Sequence, residues 1–193
     1  GAYNGSEKFS KDNRFAFFNS GAIGWTITEE NFMKSLRDNH IIDMLKFRAS
    51  YGEIGDDNIG PDPFDSTRRW LYMSQWAYGG KTTMDLDHTE SIYTWYRQNT
   101  LGNDNVKWET VKKTNFGIDY GFLGGLITGS LDFFCDRRND ILIFGSNRSV
   151  PSYFGTTAPT INKGKVRTSG YEWELKLNKV FANGLRLWGN FNM

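Results

Sequence analysis

Residue type alternates at every step in six stretches of the chain, the period required by a sheet with two unlike faces. In residues 19–27, Ile23, Trp25 and Ile27 fall on one side and Ser20, Ala22, Gly24 and Thr26 on the other. Residues 45–52 alternate strictly, with Leu45, Phe47, Ala49 and Tyr51 against Lys46, Arg48, Ser50 and Gly52. Residues 112–122 set Phe116, Ile118, Tyr120 and Phe122 against Lys113, Asn115, Gly117, Asp119 and Gly121. Gly124 and Gly125 then supply the backbone freedom of a tight hairpin. The fourth stretch follows, with Ile127, Gly129, Leu131, Phe133 and Cys135 opposed to Thr128, Ser130, Asp132 and Asp136, and with Phe134 interrupting the polar side. Residues 170–178 oppose Tyr171, Trp173, Leu175 and Leu177 to Glu172, Glu174 and Lys176. After a turn at Asn183 and Gly184, Leu185, Leu187, Phe191 and Met193 alternate with Arg186, Asn190 and Asn192, although Trp188 sits on the polar side.

The connections form a second pattern. Hairpin turns join the third stretch to the fourth and the fifth to the sixth, whereas residues 56–106 and 137–163 are long. Residues 28–44 are intermediate and predict a short helix capped by Thr28, with Glu29 and Glu30 in its first turn. Compact domains rarely hold unstructured connections beyond about 15 residues. Barrels of the bacterial outer membrane do so by rule, with short turns in the periplasm and long loops outside.

The expected fold is therefore all-β, an antiparallel transmembrane β-barrel segment of about six strands. Residues 1–193 form one partial barrel domain, with 56–106 and 137–163 as extracellular loops. Known barrels begin at about eight strands, and an open edge in lipid leaves amides unpaired, so the sequence is expected to be part of a longer polypeptide. The row Phe47, Ile118, Leu131 and Trp173 would then meet hydrocarbon tails while the polar row meets a wet lumen. A soluble carbohydrate-binding β-sandwich shows the same alternation, so periodicity leaves it open. Trp25, Tyr51, Trp108 and Tyr171, near the ends of stretches, fit the aromatic girdles of membrane interfaces.

Composition narrows the field. Aromatics reach 16% and there are 21 Gly, while hydrophobic residues total only 38%, a balance that favours strands over helix bundles. With 23 basic and 22 acidic residues the formal charge is +1, which disfavours nucleic acid as a partner. Cys135, the single cysteine, has no partner for a disulfide or a thiolate metal site. The chain opens at Gly1 with no charged-then-apolar leader, and no run of about 18 apolar residues marks a membrane helix.

Several strings resemble the SusC/RagA family of TonB-linked outer-membrane proteins. They are Phe17-Phe18-Asn19-Ser20 leading to Gly24-Trp25 and then Glu29-Glu30-Asn31-Phe32, and Leu45-Lys46-Phe47-Arg48-Ala49-Ser50-Tyr51-Gly52, similar to the family's LKLRASYG. Leu101-Gly102-Asn103-Asp104-Asn105-Val106-Lys107-Trp108-Glu109 resembles LGNPDLKWE, with Asp104 where Pro is common, and continues into Lys113-Thr114-Asn115-Phe116-Gly117. Asn162-Lys163-Gly164-Lys165-Val166-Arg167, followed by Gly170-Tyr171-Glu172, is similar to the family's closing pattern. The resemblance implies a barrel of about 22 strands with an N-terminal plug, driven by the TonB complex. It also implies import of a glycan, oligosaccharide or peptide, and a SusD-like surface lipoprotein as partner beside the outer-membrane lipid.

Two groups of residues could carry chemistry. Trp70, Tyr72, Trp76, Tyr78 and Trp95, with Tyr93, Tyr96, Arg68, Arg69 and Arg97 around them, could contact a ligand or a partner protein, or simply pack the loop. Arg48, Lys113, Asp119, Asp132, Glu172 and Glu174 fall on one expected face and would line the lumen or hold the plug. The acidic clusters Asp56-Asp57-Asn58 and Asp85, Asp87, Glu90 lack the spacing of a calcium loop, and His40 and His88 stand apart, so no metal site is expected. Motifs for a nucleophile, a phosphate loop or a dinucleotide are absent, so neither catalysis nor a cofactor is expected. A glycan-degrading enzyme would need a carboxylate pair such as Glu172 and Glu174 to act.

Overall fold

The computed structural model describes residues 1–59, 69–81 and 93–193. Strands β1 (Ala2–Gly5) and β2 (Phe15–Phe18) pair as a small antiparallel hairpin. Strands β3 (Ser20–Thr26) and β4 (Ile42–Asp56) follow, then a second hairpin of β5 (Gln75–Lys81) and β6 (Thr94–Thr100). Strands β7 (Glu109–Phe122), β8 (Ile127–Ile143), β9 (Ile161–Val180) and β10 (Arg186–Asn192) complete the chain. One antiparallel sheet takes the order β10-β9-β8-β7-β4-β3.

All six alternating stretches fall on this sheet, apart from end residues such as Ile27 and Leu185, and its register sorts their residues by face. Phe47, Ile118, Leu131 and Trp173 stand directly opposite one another across β4, β7, β8 and β9. The next row, on the other face, reads Arg48, Gly117, Asp132 and Glu172. A one-residue slip of any strand would exchange its two faces, so this agreement across four strands fixes the register.

The strands also fix which connections share an end. Ile42 pairs with Phe122, so the link from β3 to β4 lies at the same end as the turn between β7 and β8. In that turn Leu123, Gly124 and Gly125 take φ of 57°, 65° and 79°, the left-handed region where glycine bears no Cβ penalty. The Asp43 carboxylate accepts from the Gly125 N–H at 3.1 Å and ties the turn to β4.

Residues 28–44 contain the expected helix only in part. Single 3-10 turns at Ile27–Glu29 and Asn31–Met33 precede α1 (Lys34–Asp38). Thr28 is not a cap: it is buried inside the first turn, and its hydroxyl accepts from the Leu45 N–H at 3.5 Å. The turn begins directly off β3, which aims Thr28 back at β4 rather than at a helix N-terminus.

Residues 137–163, expected as a loop, are strand for much of their length. Strand β8 runs on to Ile143 and β9 begins at Ile161, leaving only 144–160 as the connection. A bulge conceals this: the register shifts between Arg138 and Ile141, where Asp140 takes a φ of 57°. An extra residue inverts the alternation and hides the strand from a period-two reading. Residues 56–106, also expected as a loop, hold the β5–β6 hairpin.

At the long-connection end a compact core of Phe9, Phe18, Ile59, Leu71, Val106, Trp108 and Leu142 packs over the extended strands. Trp108, expected in an exposed girdle, is 8% exposed there. Its ring meets Phe9 and Phe18 at centroid distances of 5.4 and 5.7 Å, and its indole N–H donates to the Arg14 carbonyl at 3.2 Å. The pull of the Phe9 and Phe18 rings on a large apolar surface outweighs what an interface offers.

The apolar face carries one polar link. Gly129 lies between Tyr120 and Leu175 in the register, and Tyr120 leans across it. The Tyr120 hydroxyl donates to the Glu174 carbonyl at 2.9 Å and accepts from Trp173 Nε1 at 2.7 Å. A Cβ at Gly129 would stand 2.6 Å from that hydroxyl and 2.0 Å from the Glu174 carbonyl oxygen.

Candidate functional site

The charged face is organised around Arg48. Its Nε and Nη2 donate to the two Asp119 carboxylate oxygens at 2.9 and 2.8 Å, a bidentate pair, and Nη2 reaches Asp132 at 3.1 Å. The guanidinium gets there by crossing Gly117, where a Cβ would sit 2.8 Å from its Cζ and 2.6 Å from Asp132 Oδ1. Three strands, β4, β7 and β8, are thus bridged by one side chain.

The other residues singled out on this face are near it in register. Lys113 donates to Asp136 at 3.0 Å, and Glu174 pairs with Lys176 at 2.8 Å. Glu172 stands opposite Asp132 and is exposed, with no ion-pair partner among the described residues. Phe134, which interrupts the polar pattern, brings the tip of its ring over Gly170, whose added Cβ would meet Cζ at 2.8 Å.

Toward the long connections the same face changes character. Ile54, Val111, Arg138 and Val166 line a cleft of about 480 Å³, with Lys113 and Asp136 on its floor. Ile54 and Val111 fall where the alternating pattern calls for polar side chains, which hides the cleft from the sequence.

The aromatic residues of 56–106 separate into distinct settings. Trp76, Tyr78 and Tyr96 are exposed on one face of the β5–β6 hairpin, with Tyr78 and Tyr96 in edge contact at 6.0 Å. Trp95 is on the other face, its indole covering Gly79. Trp70 lies in the preceding turn with the Arg69 guanidinium 5.4 Å from its ring, and Tyr72 is half-buried. The hairpin therefore brings together Trp76 and Tyr78 from the expected set, adds Tyr96, and separates Trp70, Tyr72 and Trp95 from them. Arg68 lies outside the described residues.

On the apolar face, beyond the row of Tyr51, Thr114, Cys135 and Ser169, the register places Glu53, Lys112, Arg137 and Arg167 side by side. Glu53 accepts from the Tyr51 hydroxyl at 2.6 Å and pairs with Lys112 at 3.0 Å. These two contacts, the phenol first, hold the Glu53 carboxyl below its ordinary value, and Glu53 in turn raises Lys112.

Among the described residues no cluster of three His, Cys, Asp or Glu side chains is arranged to hold a metal. Asp57 accepts from Ser6 at 2.8 Å and pairs with Lys8, Asp56 accepts from the Asn58 N–H, and His40 pairs with Asp43. The cluster of Asp85, Asp87 and Glu90, with His88, lies outside the described residues.

The model of the family described as TonB dependent receptor-like, beta-barrel matches residues 1–193. The chain is 33% identical over 181 residues to the TonB-dependent receptor SusC of Bacteroides thetaiotaomicron, covering 92% of this chain. It is 32% identical over 176 residues to the TonB-dependent receptor P3 of Formosa agariphila, covering 91%. The chain spans 16% of the length of each of these relatives. Among solved structures it resembles the RagAB peptide importer in the open-open state, with a TM-score of 0.73 at 20% identity, over 96% of this chain and 18% of that one. The RagAB peptide transporter gives a TM-score of 0.69 at 21% identity, over 96% and 18%.

Proposed function

The chain belongs to the TonB-dependent receptor-like β-barrel family of the outer membrane, and on that premise we propose that its parent protein imports a nutrient, a glycan, oligosaccharide or peptide, across that membrane. The observation that carries the reading is the pair of adjacent rows in which Phe47, Ile118, Leu131 and Trp173 back onto Arg48, Asp132 and Glu172 across one layer of backbone. Lipid on one side and water on the other account for both rows at once.

Dimensions agree. From Thr114 to Phe122 the apolar face of β7 rises about 27 Å along the strand, or about 20 Å along the membrane normal at a tilt of about 40°, near the usual apolar band of about 25 Å. The row of Glu53, Lys112, Arg137 and Arg167 then falls at the outer headgroups, and the strands continue above it into water.

In this reading Arg48, Lys113, Asp119, Asp132, Glu172 and Glu174 line the lumen. Arg48, Asp119 and Asp132 stiffen the wall, while Glu172 offers a carboxylate for a plug or a passing cargo. The cleft at Ile54, Val111, Arg138 and Val166 opens toward the outside and suits a ligand with both apolar and anionic groups. Trp76, Tyr78 and Tyr96 present rings to sugar or peptide, or to a SusD-like lipoprotein covering the barrel. Energy would come from the TonB complex acting on a plug, with no residue of this segment in a chemical step.

The test pairs cellular uptake with accessibility. Cells lacking the full-length protein should lose uptake of its cargo, sought among labelled oligosaccharides and peptides, and cells lacking TonB should lose it equally. Nitroxides at Ile118→Cys and Leu131→Cys, in a Cys135→Ser background of the full-length protein in bilayers, should be relaxed by oxygen, and those at Ser50→Cys and Ser130→Cys by a water-soluble nickel chelate. Uptake that persists without TonB, or reversed accessibilities, would refute the reading.

A further inference from the structure

The row Glu53, Lys112, Arg137 and Arg167 holds more positive charge than its neighbours balance. Glu53 is taken by Lys112 and Tyr51. Arg137 and Arg167 stand directly opposite each other on β8 and β9, both exposed; each reaches the Cys135 thiol, and neither forms an ion pair with a carboxylate among the described residues. Like charges directly opposite on a sheet repel and destabilise the pair. Lys165, two residues further on the same face of β9, is exposed and also without an ion-pair partner among the described residues, and with Lys112 it borders a groove of about 410 Å³ shared with Phe17 and Phe18. Of the carboxylates lining this groove, Glu53 is held by Lys112 and Asp140 by Lys107, so neither balances Arg137 or Arg167.

We propose that Arg137 and Arg167 form a clamp for a phosphate group on the headgroup of an outer-leaflet glycolipid. The proposal rests on the membrane-facing assignment of the apolar rows given above. Two arginines side by side offer forked donors to one tetrahedral anion, which turns their repulsion into shared attraction. Position selects the source of that phosphate. Directly below the pair come Cys135 and Ser169, small side chains, and then Phe133 and Tyr171, so acyl chains descending from a clamped headgroup would lie along the apolar face. A soluble phosphate would gain nothing from that continuity. The long connections are at this end, which makes the leaflet the external one.

The test uses the full-length protein in detergent micelles, with phosphorylated lipid A as probe and native mass spectrometry or thermal shift as readout. Each basic residue near a membrane surface contributes about a fivefold factor, so Arg137→Gln with Arg167→Gln should weaken binding about 25-fold. The double change to lysine should retain most of it. Lys179→Gln, on the same face at the opposite end of β9, should leave binding unchanged. Heat-modifiable gel mobility reports whether each variant keeps its barrel, and the single Arg167→Gln variant serves if the double one does not. Three results would each overturn the proposal: equal binding by wild type and the glutamine variant, equal binding of lipid A stripped of phosphate, or displacement of the lipid by millimolar inorganic phosphate. Oxygen accessibility at Ile118 and Leu131 is independent of all three, so loss of the clamp would leave the import reading standing.

Discussion

Gly129→Ala should destabilise the barrel far more than an alanine in a strand ordinarily does. The new methyl carbon would lie 2.6 Å from the Tyr120 hydroxyl and 2.0 Å from the Glu174 carbonyl oxygen. The phenol can swing away, but only by giving up its bonds to Trp173 and Glu174, at about 1 kcal/mol each. The carbonyl belongs to the neighbouring strand and cannot move without prising β8 from β9, an overpacking cost of about 1–3 kcal/mol. The sum is about 3–5 kcal/mol. Gly52→Ala is the control, since its nearest neighbour is Ser20 Cβ at 3.6 Å, an ordinary contact. Urea unfolding of the full-length protein in detergent, followed by heat-modifiable gel mobility, measures both. Adding Tyr120→Ala to Gly129→Ala should recover only part of the loss, because the clash with backbone remains. A midpoint for Gly129→Ala equal to that of Gly52→Ala would refute the account of the Tyr120 crossing.

Gly117→Ala presses only on the movable tips of Arg48 and Asp132, so it should cost less, about 1–2 kcal/mol, with no further loss when Arg48→Met is already present. Arg48→Lys, which keeps the charge but not the fork, should lose coupling to one of the two aspartates in a double-mutant cycle against Asp119→Asn and Asp132→Asn. Because Glu53 titrates below its ordinary value, its contribution to stability is complete above about pH 4.3 and is lost as pH falls through the folded-state value; acid unfolding should therefore be shallower in Glu53→Gln. Lys112, raised, contributes fully below about pH 10.4 and loses that as pH rises through its folded value, so Lys112→Met should flatten the alkaline limb. Trp76→Ala with Tyr78→Ala should impair uptake or lipoprotein capture while leaving the unfolding midpoint unchanged, and a large shift in midpoint would mean these rings serve packing instead.

The sequence could be read wherever two solvents imprint two faces. Residues 45–52, 112–122 and 170–178 fall in that zone, and their alternation is the register observed. Beyond it both faces of the sheet meet water or loop, so residues 161–169 are strand without any period to announce it. The bulge at Asp140 adds a phase change that no fixed template follows. Strands β1 and β2 have four residues each, and Phe15-Ala16-Phe17-Phe18 does not alternate. Trp108 looked like a girdle residue because nothing local reveals that Phe9, nearly a hundred positions earlier, closes over it. The six charged residues were legible as a face, but the Arg48 bridge was not, since it depends on Gly117 being a gap between partners far apart in sequence.

Gly117 and Gly129 stand on adjacent strands and open toward opposite surfaces. Through the first gap a guanidinium rivets β4 to β7 and β8, and through the second a phenol rivets β7 to β9. Sliding of these strands past one another would have to shear both fasteners together. At this height the sheet is braced on both of its faces, and β7, which carries Asp119 and Tyr120, is the member that cannot slide alone.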